Sequence, residues 1–335
     1  MLVPFVIDAD SLKPDPDWPP AQQRACHNTL LDIWQRIGLL SHDGDRFEGS
    51  RLMQAVQRLP PNLRSLWQEV LERVPMNACG SGWGGLVELG TLKDFYNRAQ
   101  LAIVDDARAE VEFGLSEDCD EKSFEVERGA PRVDICRLLC AGKAHGFTNA
   151  LDKVGLHIQG GETFKAIWDS RFRTLAAAPI KRVSIVDRFA MGQHMVCPQA
   201  QLSGLERFLR LLDADADGSR HVTIFSAWTS DLHDRTLYDL ECEIRLIAQR
   251  LPAKNVKGIK LNMLPNPVFG DLSHDRFVRF NSYVWELGIG LKIFEGAFAA
   301  ERSSASFKTG VSVNGYRQVE NDLVGHPNTR TVEIR

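Results

Sequence analysis

The run KRVSIVDRF (residues 181–189), followed by SGLERFLRLLD (203–213), HVTIFSAW (221–228), TLYDLECEIRLIAQRL (236–251) and GIKLNMLP (258–265), decides the fold. The first, third and fifth stretches are short apolar runs rich in Val, Ile and Phe, the pattern of buried strands. The stretch 203–213 puts Leu205, Phe208, Leu209 and Leu212 on one helical face, with Ser203 placed to cap it. The stretch 236–251 aligns Leu237, Leu240, Ile244, Ile247 and Leu251 in one stripe. Strands that alternate with amphipathic helices predict an α/β layer fold with a mainly parallel central sheet. Further strands follow in 275–280 and 283–294, and the Ser-, Asn- and Gly-rich tail 301–335 reads as partly disordered.

Toward the N-terminus the pattern restarts. LVPFVIDADSL (2–12) is an apolar strand ending in Asp8 and Asp10, and KPDPDWPP (13–20) is a rigid proline loop. Leu30, Ile33, Trp34 and Ile37 predict a helix over 21–40, with a turn at 41–45. Two short helices (51–58 and 62–74) flank Pro60-Pro61. CGSGWGG (79–85) is a glycine-rich loop without the Lys-Ser/Thr of a phosphate-binding P-loop. A second strand, Leu101 to Val104, ends in Asp105 and Asp106. Residues 116–130 read as an acidic loop and 133–147 as a helix. The 335 residues exceed the size at which single cores stop growing, so two α/β domains are expected, 1–150 and 158–300.

A formal net charge of −4 excludes a chain that coats nucleic acid by bulk charge; phosphate contacts must be local. The seven cysteines (Cys26, Cys79, Cys119, Cys136, Cys140, Cys197 and Cys242) are odd in number and scattered, which argues against a disulfide framework. No signal peptide and no membrane-spanning run are visible, so a cytoplasmic location is expected.

The window HDRFVRFNSYVWELGIGLKIF (274–294) carries the chemistry. His274 and Arg276 alternate in an extended segment, Asn281 lies seven beyond His274, and Gly288 seven beyond that. This resembles the His-x-Lys-x4-Asp-x6-Gly pattern of the phospholipase D superfamily, with Arg276 for the lysine and Asn281 for the aspartate. Over 158–296 the ordered set IVDRF, HDR and LGIGL resembles the phospholipase D-like domain found C-terminal in MIT-domain proteins. The resemblance implies metal-free phosphodiester chemistry. One imidazole attacks phosphorus, a second protonates the leaving oxygen, and a guanidinium steadies the phosphoryl charge. His274 and Arg276 take the first and last roles. His194 is the candidate second imidazole, and Asp187, Arg188 and Arg279 are candidate ligand-binding residues. With one motif per chain, the site could be completed across a homodimer. The same residues also suit a degenerate module that binds a phosphate-bearing ligand or partner protein.

The first domain offers another chemistry. If the strands ending in Asp8/Asp10 and Asp105/Asp106 are parallel neighbours, four carboxylates share one sheet edge. Such crowding is relieved by a divalent cation, Mg²⁺ or Mn²⁺ for an all-oxygen site. FVIDADSL and residues 1–150 resemble a PIN-like nuclease domain, whose middle glutamate would be Glu69, Glu72 or Glu110. Both resemblances imply a phosphodiester hydrolase acting on nucleic acid, by analogy a defence effector against foreign DNA or RNA. The alternative is a binding-only module.

Overall fold

The computed structural model describes residues 2–13, 17–42, 47–72, 74, 76–78, 99–116, 121–125, 132–198 and 200–334. The glycine-rich loop 79–85, Cys79, Cys119 and parts of the 116–130 segment lie outside the described residues. The chain is mixed α/β in two units, Met1–Lys153 and Val154–Arg335.

In the first unit the strands are β1 (Val3–Ile7), β2 (Gly38–His42), β3 (Met76–Ala78), β4 (Leu101–Val104), β5 (Glu121–Glu125) and β6 (Arg132–Arg137), in sheet order β3-β2-β1-β4-β6-β5. All neighbours run parallel except β5 against β6. From β1 the chain winds to one side of the sheet, then returns at β4 to build the other. The strand order therefore reverses between β1 and β4, where open α/β sheets leave a crevice at their carboxyl edge. One face buries Phe5 against Trp34 and Phe147, with Trp34 tilted onto Trp67. The other buries Val6, Ala102, Val104, Val133 and Ile135.

Three sequence expectations are corrected here. The helix Pro20–Ile37 stops at Gly38 and passes straight into β2, so Leu39 and Leu40 are strand residues and no turn begins at 41. Gly38 allows this tight passage, since a Cβ there would meet Phe5 Cε1 at 2.8 Å and Trp34 Cα at 2.9 Å. The expected 133–147 helix is instead β6, a short 3-10 stretch (Leu138–Lys143) and the helix His145–Asp152. Its first apolar residues face both sides of a buried strand, a pattern that short runs share with buried helices. Residues 121–125, expected as loop, form the antiparallel edge strand β5.

The second unit has β7 (Arg182–Val186), β8 (Arg220–Trp228), β9 (Val256–Pro265), β10 (Phe277–Phe280), β11 (Tyr283–Leu287), β12 (Ala305–Thr309) and β13 (Arg330–Ile334), in order β12-β11-β10-β7-β8-β9-β13. The expected helices are in place. Ser203 Oγ accepts the Glu206 amide at 3.1 Å to cap Gly204–Asp215, and the Leu205/Phe208/Leu209/Leu212 stripe is buried. The helix Leu237–Arg250 buries Leu240, Ile244 and Ile247. Parallel pairing is confined to β7-β8-β9; β10, β11, β12 and β13 all pair antiparallel, so the sheet is mixed rather than mainly parallel.

The tail is the largest correction. Residues 301–335 are not a disordered extension. They supply β12 at one edge of the sheet and β13 at the other, joined by the helix Val313–Gly325. That helix covers Val186, Phe277 and Val284 with its own Val313 and Leu323. The opposite face carries an aromatic cluster in which Phe172 packs on Trp168, Phe208, Phe280, Trp285 and Phe294. Pairing partners in the sheet and a burial partner across it outweigh the polar composition of the tail.

Candidate functional site

The second unit gathers its three motifs at the carboxyl end of β7. Pairing of Phe277 with Val186 sets Arg276 opposite Asp187. Asp187 is buried, with Oδ2 accepting the Leu291 amide at 2.8 Å and Oδ1 the Phe189 amide at 3.0 Å. Burial raises its pKa, against the pull of those two amides and of Arg276. Gly290, at φ +62°, is required beside it: a Cβ there would lie 2.1 Å from Asp187 Oδ2. Arg276 Nη1 donates to the Gly288 carbonyl at 2.5 Å. IVDRF, HDR and LGIGL are thus physically joined, Asp187 holding the LGIGL turn and that turn holding Arg276.

Two guanidiniums flank one ring. Arg276 Cζ lies 5.0 Å and Arg188 Cζ 5.6 Å from the Phe189 centroid, within cation–π range. Arg188 Nε donates to Asn266 Oδ1 at 2.5 Å, just past the end of β9. One nitrogen of each guanidinium is therefore anchored while donors remain for a ligand. His274 is exposed in the loop before β10 and has no hydrogen-bond or ion-pair partner among the described residues. Regular pairing begins only at Phe277, so strand alternation does not orient His274.

The other expected members are elsewhere. Asn281 sits at φ 51° in the two-residue turn between β10 and β11. The four residues of β10 lie between it and Arg276, five extended steps of about 3.3 Å, or about 17 Å. Its residue type answers the turn, which favours asparagine at positive φ. Arg279 faces the helix Val313–Gly325, where Nε donates to Glu320 Oε1 at 2.6 Å and a second nitrogen pairs with Glu320 Oε2. It fastens helix to sheet. His194 is buried, with Nδ1 2.7 Å from Ser203 Oγ and Nε2 3.7 Å from Glu243 Oε2. Burial lowers its pKa, against Glu243 and Glu206. Both its nitrogens are directed at neighbouring helices rather than at His274.

In the first unit the parallel β1–β4 pair does bring the four carboxylates to one edge. Each has a partner there. Asp8 meets Arg108 at 2.6 Å, both largely buried, and Asp10 meets Lys13 at 3.0 Å. Asp105 caps the helix Asp106–Val111 through the Arg108 amide, and Asp106 meets Arg137 at 2.9 Å. Burial disfavours the Arg108 cation, but hydrogen bonds to Glu112 and Asp8 outweigh it and hold its pKa above the ordinary value. Arg108, Lys13 and Arg137 thus place positive charge beside Asp8, Asp10 and Asp106. Among the described residues no cluster of three or more His, Cys, Asp or Glu converges on one point.

A cavity of about 500 Å³ does open at this edge. Its lining includes Trp18, His27, Asp105, Glu110 and Arg137. Sequence reasoning missed His27 and Phe189. His27 lies three, four and seven residues before Leu30, Leu31 and Trp34, so helical register alone places it on the buried face.

No protein-family model matches the chain, and no curated protein matches it. Among solved structures it is similar to TrmBL2, an archaeal chromatin protein described as showing a novel mode of DNA binding. The identity is 9% over 91% of this chain and 81% of that one, with a TM-score of 0.24. A likeness that low assigns neither fold nor function. No helix among the described residues is long and apolar enough to cross a membrane.

Proposed function

We propose that the chain engages nucleic acid through its phosphodiester backbone, and that the second unit, as a phospholipase D-like module, grips phosphate between Arg188 and Arg276. The observation that carries this reading is the pair of anchored guanidiniums on Phe189 beside the exposed, unpartnered His274. Anchoring limits the side-chain entropy lost on binding, and planar guanidinium forks match phosphate oxygens. Three groups able to carry positive charge on an open sheet edge suit a run of backbone phosphates better than an enclosed headgroup. The cytosol is the proposed setting, consistent with the thiols at Cys26, Cys136, Cys197 and Cys242.

Recognition rather than turnover is favoured because one imidazole stands where the two-step reaction needs two. Hydrolysis is the second reading, favoured by the accessibility of His274 next to Arg276. In that reading His274 attacks phosphorus, and the leaving oxygen takes its proton from outside this cluster, such as a second copy of the chain.

Fluorescence anisotropy with a labelled single-stranded oligonucleotide tests the grip. Affinity should fall with salt, and Arg276→Ala or Arg188→Ala should weaken it roughly tenfold, the worth of a charge-assisted contact. Salt-independent binding, or binding unchanged in both variants, refutes it. Incubating the same oligonucleotide with wild type and His274→Ala then decides turnover. Chelator-resistant cleavage lost in the variant establishes the hydrolytic reading. Chelator-sensitive cleavage lost in Asp8→Asn would move the chemistry to the first unit.

A further inference from the structure

His27 is 4% exposed, and its Nδ1 lies 3.0 Å from the Trp67 indole nitrogen. An indole N–H can only donate, so Nδ1 must accept and the ring proton of neutral His27 sits on Nε2. Burial keeps the ring neutral by pushing its pKa down to about 4. Nε2–H has no partner among the described residues, although His27 forms part of the wall of the cavity at the β1–β4 edge. That nitrogen is not among the sealed, unpartnered polar atoms of the described residues, so the donor is reachable from the cavity and open to an acceptor that enters it.

The remaining lining narrows what could meet it. Asp10, Asp105, Asp106 and Glu110 face Lys13 and Arg137, so the described lining residues carry two negative charges in excess. Trp18 and Leu139 add apolar surface. A bare divalent cation would meet an N–H donor at the inner wall. A polyamine offers that donor no acceptor, and a phosphate meets a net negative rim. The ligand must carry an acceptor at one end and hydroxyl donors at the other, with a flat apolar body and no net negative charge. A cavity of about 500 Å³ suits a ligand of that size.

We propose that this cavity is a nucleoside site, in which a ring acceptor of the base takes the His27 Nε2–H, the base lies beside Trp18, and the sugar hydroxyls bond the rim carboxylates. The site is separate from the phosphate grip of the second unit and does not depend on it. Isothermal titration of the full chain with adenosine, guanosine, cytidine and uridine, and with their 5′-monophosphates, tests it. At least one nucleoside should bind saturably, and its monophosphate several-fold more weakly. His27→Phe should weaken binding about tenfold, the worth of one hydrogen bond. Because His27→Phe also strands the Trp67 N–H, Trp18→Ala at a half-buried position serves as the second variant and should weaken binding several-fold. Failure of every nucleoside to saturate at millimolar concentration overturns the proposal. So does a monophosphate that binds as tightly as its nucleoside, or affinity unchanged in both variants.

Discussion

Acidification should loosen the first unit through His27. Protonating Nδ1 would break its hydrogen bond from Trp67 and place a cation among Leu30, Trp34 and Trp67. Burial therefore lowers the pKa from 6.5 to about 4. The unfolded chain takes up the proton first, so this stabilisation is complete above the unfolded value and is lost as pH falls toward the folded one. The interval from 6.5 to about 4 corresponds to about 3 kcal/mol in full, and about 2 kcal/mol is already gone near pH 5. His27→Phe removes the titration but leaves the Trp67 N–H buried without an acceptor, costing about 1–3 kcal/mol. Urea denaturation, followed by near-ultraviolet circular dichroism, would compare the two proteins. Wild type should be the more stable near pH 7.5, and the gap should close by about 2 kcal/mol near pH 5. A gap that does not change with pH, or an NMR titration placing His27 at its unperturbed value, would refute the reasoning.

Three further outcomes are expected. Glu320→Ala leaves the Arg279 guanidinium, 15% exposed, without its carboxylate and should cost about 3–5 kcal/mol, seen as a lowered melting temperature; the double variant Arg279→Met/Glu320→Leu should recover most of that loss, and a silent Glu320→Ala would dismiss the tie. Gly290→Ala adds a left-handed backbone penalty of about 1–2 kcal/mol to a collision with Asp187, so it should both lower the melting temperature and weaken oligonucleotide binding through Arg276. Truncation after residue 300 uncovers both edges of the second sheet and the apolar face under the helix Val313–Gly325, and should give aggregated protein; a soluble truncation melting like the full chain would contradict that packing.

The sites were only partly legible. IVDRF, HDR and LGIGL could be singled out as an ordered set, and the structure joins them through Asp187, Leu291, Arg276 and Gly288. The roles within the set were not legible. Asn281 matched a catalytic spacing, yet positive φ in a hairpin explains it. Arg279 matched a ligand-binding type, but the residue facing it, Glu320, lies 41 positions away. The acidic strand ends at Asp8/Asp10 and Asp105/Asp106 were placed correctly at one edge. Their neutralising partners were invisible because Arg108 is 100 residues from Asp8.

Local features were readable from the chain alone: apolar runs that form strands, helical stripes such as Leu205/Phe208/Leu209/Leu212, the Ser203 cap, and two α/β units with a boundary between residues 150 and 158, where the structure divides the chain after Lys153. These follow from periodicities of two and 3.6, which need only near neighbours. The tertiary structure alone decided that a polar tail closes both edges of a sheet, that a helix gives way to strand at Gly38, and which charges meet. Those outcomes depend on pairing partners far along the chain, whose hydrogen bonds and burial override what any short window prefers.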